Sequence, residues 1–133
     1  MHNDPQTLIA AARASLARAY APYSHFQVAA AVVDEQGRVF TGVNVENISY
    51  GLAVCAERAA IFSAIAAGAR RITAVAVTSS GADLLSPCGA CRQVIAEFAA
   101  ADVPVHCDAP GGPRTWQVGE LLPHGFTASQ LGR

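Results

Sequence analysis

The chain has 133 residues, 52% of them hydrophobic and only 14% charged, where roughly 25% charged is usual for soluble domains, and its formal net charge is −1. This composition supplies ample apolar area for a core and excludes a disordered chain. Nine arginines without a lysine, set against ten acids, leave no basic surface for a phosphate backbone, and the longest apolar run (28–33) is far short of the ~20 residues that span a bilayer. Neither a stable nucleic-acid partner nor a membrane segment is therefore expected.

Met1-His2-Asn3-Asp4 is not a basic leader and no hydrophobic stretch follows it, so no secretory signal is expected and the reducing cytoplasm is the expected compartment. Asp4-Pro5 reads as an N-cap followed by proline in the first helical position, and Leu8, Ile9, Ala12 and Leu16 carry the helical period to about Arg18. Pro22 ends that segment. Residues 27–33 form a small apolar strand, 34–37 a turn and 38–43 the return strand of a hairpin. A second helix is predicted over 54–67, with Ala56, Ala59, Ala60, Ser63, Ala64 and Ala67 on one thin face and Gly68 as its stop. Residues 72–79 form a continuous apolar strand, and a third helix runs from Pro87 or Cys88 to about Ala101. A strand at 104–108, a turn at 110–113 and a last strand at 115–118 complete the chain. The alternation of strands with helices predicts an α/β fold in three α/β/α layers, with helices on both faces of a five-stranded mixed sheet. There is no repeat and no linker, so 1–133 is expected to be a single domain. The sparse charge further predicts apolar surface covered by sister subunits.

Four cysteines stand at 55, 88, 91 and 107. In a reducing compartment, cysteines at such positions more often bind metal or react than form disulfides, although buried inert thiols are common. Cys55-Ala56-Glu57 opens one predicted helix and Pro87-Cys88-Gly89-Ala90-Cys91 opens the next. Successive strand-to-helix turns lie at the carboxyl edge of a sheet, which brings three thiols together at two positive helix ends. Three sulfurs are one short of a closed structural zinc site; a catalytic zinc leaves its fourth place for water. Glu57 can face such a metal only if Cys55 lies at the irregular edge of its helix. There it could move protons to and from water. Taken singly, Glu57 is a first-turn acid complementing the helix dipole. Beside three cysteines it is the expected catalytic group. A three-thiolate zinc carries a formal −1, which Arg58 and Arg92 are placed to offset by hydrogen bonds to sulfur, unless both are simply solvated helix arginines.

At these residues the chain resembles the cytidine deaminase family in its small, three-cysteine form. The likeness extends to Tyr23-Ser24-His25-Phe26-Gln27-Val28, to Asn44-Val45-Glu46-Asn47-Ile48-Ser49-Tyr50, to Pro87-Cys88-Gly89-Ala90-Cys91-Arg92-Gln93, and to Leu121-Leu122-Pro123 with Phe126. The resemblance implies one Zn2+ per subunit held by Cys55, Cys88 and Cys91, with Glu57 as proton shuttle between water and the ring. It implies a nucleoside substrate, with Asn44 and Glu46 on the ribose hydroxyls, Phe26 against the pyrimidine and Ala56 lining the site. It further implies a homotetramer in which Tyr50 and Phe126 complete a neighbouring subunit's site, and hydrolytic deamination of cytidine and 2′-deoxycytidine in pyrimidine salvage. Ala29, Gly51 and Ala59 replace the Gly, Pro and Thr common in the family, away from the reacting atoms. Asn44 could otherwise be a turn residue, Glu46 a surface acid and Phe26 ordinary core.

Three other readings stay open at this level. A deaminase of a modified cytosine nucleoside, such as a nucleoside antibiotic, would share the zinc signature. A thiol–disulfide oxidoreductase would use Cys88 and Cys91, leaving Cys55 and Glu57 unexplained. A structural zinc module would need His106 or Cys107 as a fourth ligand. His2, His25 and His124 carry no partner signal.

Overall fold

The computed structural model describes residues 4–132, so His2 lies outside the described residues. Helix α1 spans Pro5–Ser15, with the Asp4 carboxylate accepting from the Thr7 amide as N-cap and proline in the first turn. Its end departs from the sequence expectation: the chain tightens into a 3-10 turn at Leu16–Arg18 before reaching Pro22.

The hairpin forms as expected from β1 (Val28–Asp34) and β2 (Val39–Val43). Its turn is held by Asp34, whose carboxylate accepts from the Gln36 and Arg38 amides, and by Gly37 at φ +79°, a backbone state that favours glycine. The next elements are α2 (Ala56–Ala66), β3 (Ile72–Ser79), α3 (Gly89–Phe98), β4 (Pro104–Cys107) and β5 (Arg114–Gln117). One five-stranded sheet results, in the order β2-β1-β3-β4-β5. β1 runs antiparallel to both its neighbours, β3 and β4 are parallel, and β5 returns antiparallel.

All seven β1 residues are buried, because the strand is covered on both faces. Val28, Ala30 and Val32 join Val75, Val77 and Val105 under α2 and α3. The alternate residues Ala29, Ala31 and Val33 pack with Ala74 and Ala76 under Leu8, Ile9 and Ala12 of α1. These are the three layers that the alternation predicted.

The small side chains of α2 let it lie unusually close to β2. A Cβ added to Gly42 would sit 2.3 Å from the Ala60 nitrogen and 2.7 Å from the Ala56 carbonyl oxygen. The buried face of α2 is Ala56, Glu57, Ala60, Ile61 and Ala64, whereas Ser63 and Ala67 are exposed. The predicted face was therefore rotated: apolarity alone does not phase a helix in which both Ile61 and exposed Phe62 are apolar. Helix α3 stops at Phe98 instead of Ala101, since Ala99 is already extended. The last strand ends at Gln117, where a Gln117–Glu120 capping box starts a short helix, α4 (Val118–Leu121), that no sequence period announced.

Because β2 and β3 both run antiparallel to β1, they are parallel to each other. Their carboxyl ends, and so the starts of α2 and α3, share one edge of the sheet with the first residues of β1. No helix is long and apolar enough to cross a membrane among the described residues.

Candidate active site

Cys55 and Cys88 are the N-caps of α2 and α3, each in extended backbone (ψ 155° and 168°), and Cys91 lies in the first turn of α3. Cys55 thus stands at the irregular helix edge that lets Glu57 turn toward the same space. The Cys55 and Cys88 sulfurs are 3.8 Å apart, those of Cys88 and Cys91 3.3 Å, and all three lie within 4.8 Å of one another. Zinc–sulfur bonds of about 2.3 Å in a tetrahedron give sulfur–sulfur edges of roughly 3.8 Å, so the triangle fits that ion.

The neighbouring Cys91 thiol, with Arg58 Nη2 at 3.5 Å and the Cys88 thiol at 3.8 Å from the same sulfur, holds Cys55 down to about 5. Cys91, beside the charged Cys55 and buried, is pushed far up. Glu57 is 3% exposed. Burial, with the Cys55 charge adding to it, pushes its carboxyl up to about 7. A carboxyl poised near neutrality beside a metal-binding triangle can give and take a proton at working pH.

Arg58 therefore reaches sulfur, as expected. Arg92 does not act there: its Nε donates to the Pro87 carbonyl at 2.7 Å, its Nη1 to the Leu121 carbonyl at 3.0 Å and its Nη2 to Ser86 Oγ at 3.1 Å. Its guanidinium is spent on oxygens, clamping the loop that carries Cys88 to the end of α4.

A cavity of about 170 Å³ opens onto this centre, lined by Phe26, Asn44, Cys55, Ala56, Glu57 and Ser86 among others. The structure thus brings Phe26, Asn44 and Ala56 to the thiols. Asn44 also splices the start of β1, accepting from the Val28 amide at 2.9 Å and donating to the Phe26 carbonyl at 2.8 Å. Glu46 and Tyr50 instead line a neighbouring cleft of about 320 Å³ with Tyr23 and Ala53. Tyr50 is 78% and Phe126 60% exposed, and Phe126 is tethered through its backbone to the Gln93 amide group. Neither ring lines the thiol cavity of its own chain.

Three lining residues, Val28, Leu85 and Ser86, were not anticipated; Val28 opens β1, and the other two stand in an irregular loop whose only sequence signal is its place before Pro87-Cys88. Gly81 was also missed. A Cβ there would meet the Phe26 ring at 2.9 Å, so its bare backbone makes room for that ring. The structural-zinc alternative loses its fourth ligand. His106 alternates with Val105 and Cys107 and so faces away from α2 and α3, with Nδ1 2.8 Å from Thr115 Oγ1. Cys107 is buried in the core between the sheet and those helices and is pushed up to about 12, first by burial. The only metal-capable group among the described residues is Cys55, Cys88 and Cys91.

Fold and centre together define an α/β metalloenzyme with an open three-thiol site and a buried carboxyl beside it. Residues 2–107 match the family model for the cytidine and deoxycytidylate deaminase zinc-binding region. The cytidine deaminase of Halalkalibacterium halodurans is 46% identical over 96% of this chain and 98% of its own length. The crystal structure of cytidine deaminase from Burkholderia pseudomallei superposes with a TM-score of 0.86 at 48% identity, covering 91% of this chain and 98% of that one. That from Mycobacterium tuberculosis gives 0.82 at 42%, covering 93% and 98%. The chain belongs to the cytidine and deoxycytidylate deaminase family, and its cofactor is zinc.

Proposed function

We propose that this chain, as one domain over 1–133, hydrolyses the 4-amino group of cytidine and 2′-deoxycytidine, with zinc held by Cys55, Cys88 and Cys91. The observation that carries this reading is Glu57, a nearly inaccessible carboxyl raised to about 7 beside three converged thiols. Zinc, when bound, supplies the Lewis acidity that makes water nucleophilic near neutral pH. Glu57 takes one proton from the attacking water and delivers it to N3 of the ring as the water oxygen adds to C4. Glu57 then takes the remaining hydroxyl proton and passes it to the amino group, which leaves as ammonia, with the 4-oxo product remaining. Arg58 steadies the Cys55 thiolate, whose charge would otherwise oppose ionisation of Glu57. The Phe26 ring packs against the pyrimidine.

Asn44 retains one side-chain N–H and one lone pair beyond its backbone bonds. Glu46 is fixed one loop turn away, and the two take the sugar hydroxyls. Tyr50 and Phe126, exposed and outside their own chain's thiol cavity, complete the site of a neighbour in a homotetramer. The exposed Ile48, Leu52 and Phe62 supply apolar surface for that assembly. The reading assigns the enzyme to pyrimidine salvage in a reducing cytoplasm, where its thiols stay available to metal.

The test is to incubate the purified protein with cytidine, following loss of ultraviolet absorbance and release of ammonia, with zinc quantified on the same sample. Ammonia equal to the uridine formed, with one zinc per chain, is the expected result. Zinc-loaded protein that leaves cytidine intact overturns the reading.

A further inference from the structure

The segment between α1 and β1 is organised around a carboxylate. Glu46 Oε1 accepts from the amides of Tyr23 at 3.0 Å and Ser24 at 3.1 Å, and Glu46 Oε2 accepts from the Ser24 hydroxyl. That hydroxyl in turn accepts from the Phe26 amide at 3.0 Å. His25, between them, sits at φ +58°, the left-handed state that bends Phe26 back over Ser24. The Phe26 carbonyl is taken by Asn44. Both backbone polar groups of Phe26 are therefore fixed by side chains, one directly by Asn44 and one through Ser24 by Glu46.

We infer that Ser24 is a positioning residue that couples recognition of the sugar to placement of the aromatic ring against the base. The inference rests on the proposed roles of Glu46 and Phe26. Its physical content is that a single hydroxyl is donor to the carboxylate and acceptor from the ring-bearing residue. It fixes the rotamer of Glu46 and leaves one lone pair of Oε2 for a sugar hydroxyl. Ser24 is also the main reason the Glu46 carboxyl is held below the usual range, so the acceptor stays ionised. Without it, the Phe26 amide loses its partner and Oε2 loses its anchor, leaving the carboxylate held through Oε1 alone.

The experiment compares wild type, Ser24→Ala and Ser24→Thr on cytidine and on 2′,3′-dideoxycytidine, with zinc content checked in each. Ser24→Ala should raise KM for cytidine roughly three- to tenfold, about one ordinary hydrogen bond's worth because the carboxylate keeps its Oε1 amide bonds, with kcat nearly unchanged. On the dideoxy substrate, which offers Glu46 no ring hydroxyl but still stacks on Phe26, the same variant should raise KM less than on cytidine, by roughly twofold, the share that passes through the ring. Ser24→Thr, which keeps the hydroxyl, should restore cytidine KM. In a Glu46→Gln background, Ser24→Ala should add little. Equal KM increases on both substrates, or no increase on cytidine, overturn the inference. A wild-type enzyme that deaminates cytidine yet does not distinguish the two substrates instead overturns the sugar-binding role of Glu46, and the inference falls with it. Failure on cytidine by the zinc-loaded wild type refutes the deaminase reading itself.

Discussion

Replacing Gly42 by alanine tests how the sheet sets the geometry of the centre. The new Cβ would lie 2.3 Å from the Ala60 nitrogen, 2.7 Å from the Ala56 oxygen and 2.8 Å from the Ala59 carbonyl carbon, all backbone atoms that no rotamer change can move. Ordinary contact begins at 3.4 Å, so α2 must retreat from β2 by about 1 Å. Overpacking of this kind costs ~1–3 kcal/mol, and at about 4 °C per kcal/mol for a chain of this size Tm should fall by about 4–12 °C. The strain falls on the first turn of α2, which carries Ala56 and Glu57 directly after Cys55. A displacement of about 1 Å at a reacting group can cost roughly 100-fold in rate, so kcat/KM should drop by about 10- to 100-fold. Thermal melts of zinc-loaded protein and steady-state assays read the two effects. Gly51→Ala, where the added Cβ meets nothing within 4 Å, serves as the stability control. A Gly42→Ala protein that melts with the wild type and keeps full activity would show that α2 is not wedged against β2.

Glu57→Gln should bind zinc normally and lose about 10²- to 10⁴-fold in kcat, measured with metal analysis on the same sample. In metal-free protein the same change has a pH signature. Since the folded carboxyl is raised from 4.5 to about 7, the wild type loses stability relative to the variant as pH climbs between those values. The variant's stability advantage, read from denaturant unfolding at each pH, should grow over that interval toward about 3 kcal/mol, and a difference flat with pH would refute the burial argument. Arg92→Ala frees two carbonyls and the Ser86 hydroxyl, so Tm should fall by about 8 °C or more and zinc should be lost more readily to a chelator. Gly81→Ala should push the Phe26 ring toward the cavity and raise KM for cytidine several-fold while barely changing Tm; unchanged KM would mean the ring yields elsewhere.

The elements that the sequence made legible are those encoded locally. The Asp4-Pro5 start, the Gly37 hairpin and the two cysteine-headed helices all follow from residues within a few positions of one another. The meeting of Cys55 with Cys88 across 33 positions was also readable, because successive strand-to-helix turns must share a sheet edge. What resisted reading depends on distant partners. Arg92 is directed to Leu121 by α4, a helix too short to show a period, and the burial phase of α2 is decided by Gly42 on another strand. Glu46 stands two residues after Asn44, yet it lines a different cleft because the chain wraps segment 23–26 around its carboxylate.

The two apolar layers flanking the sheet are assembled without help from Cys55, Cys88 or Cys91. In the smallest zinc domains metal capture and folding are a single event, and a chelator unravels the chain. Here the burial that joins sheet and helices comes from other residues, so stripping the ion with a chelator should empty the centre while leaving most of the helix and strand signal in place.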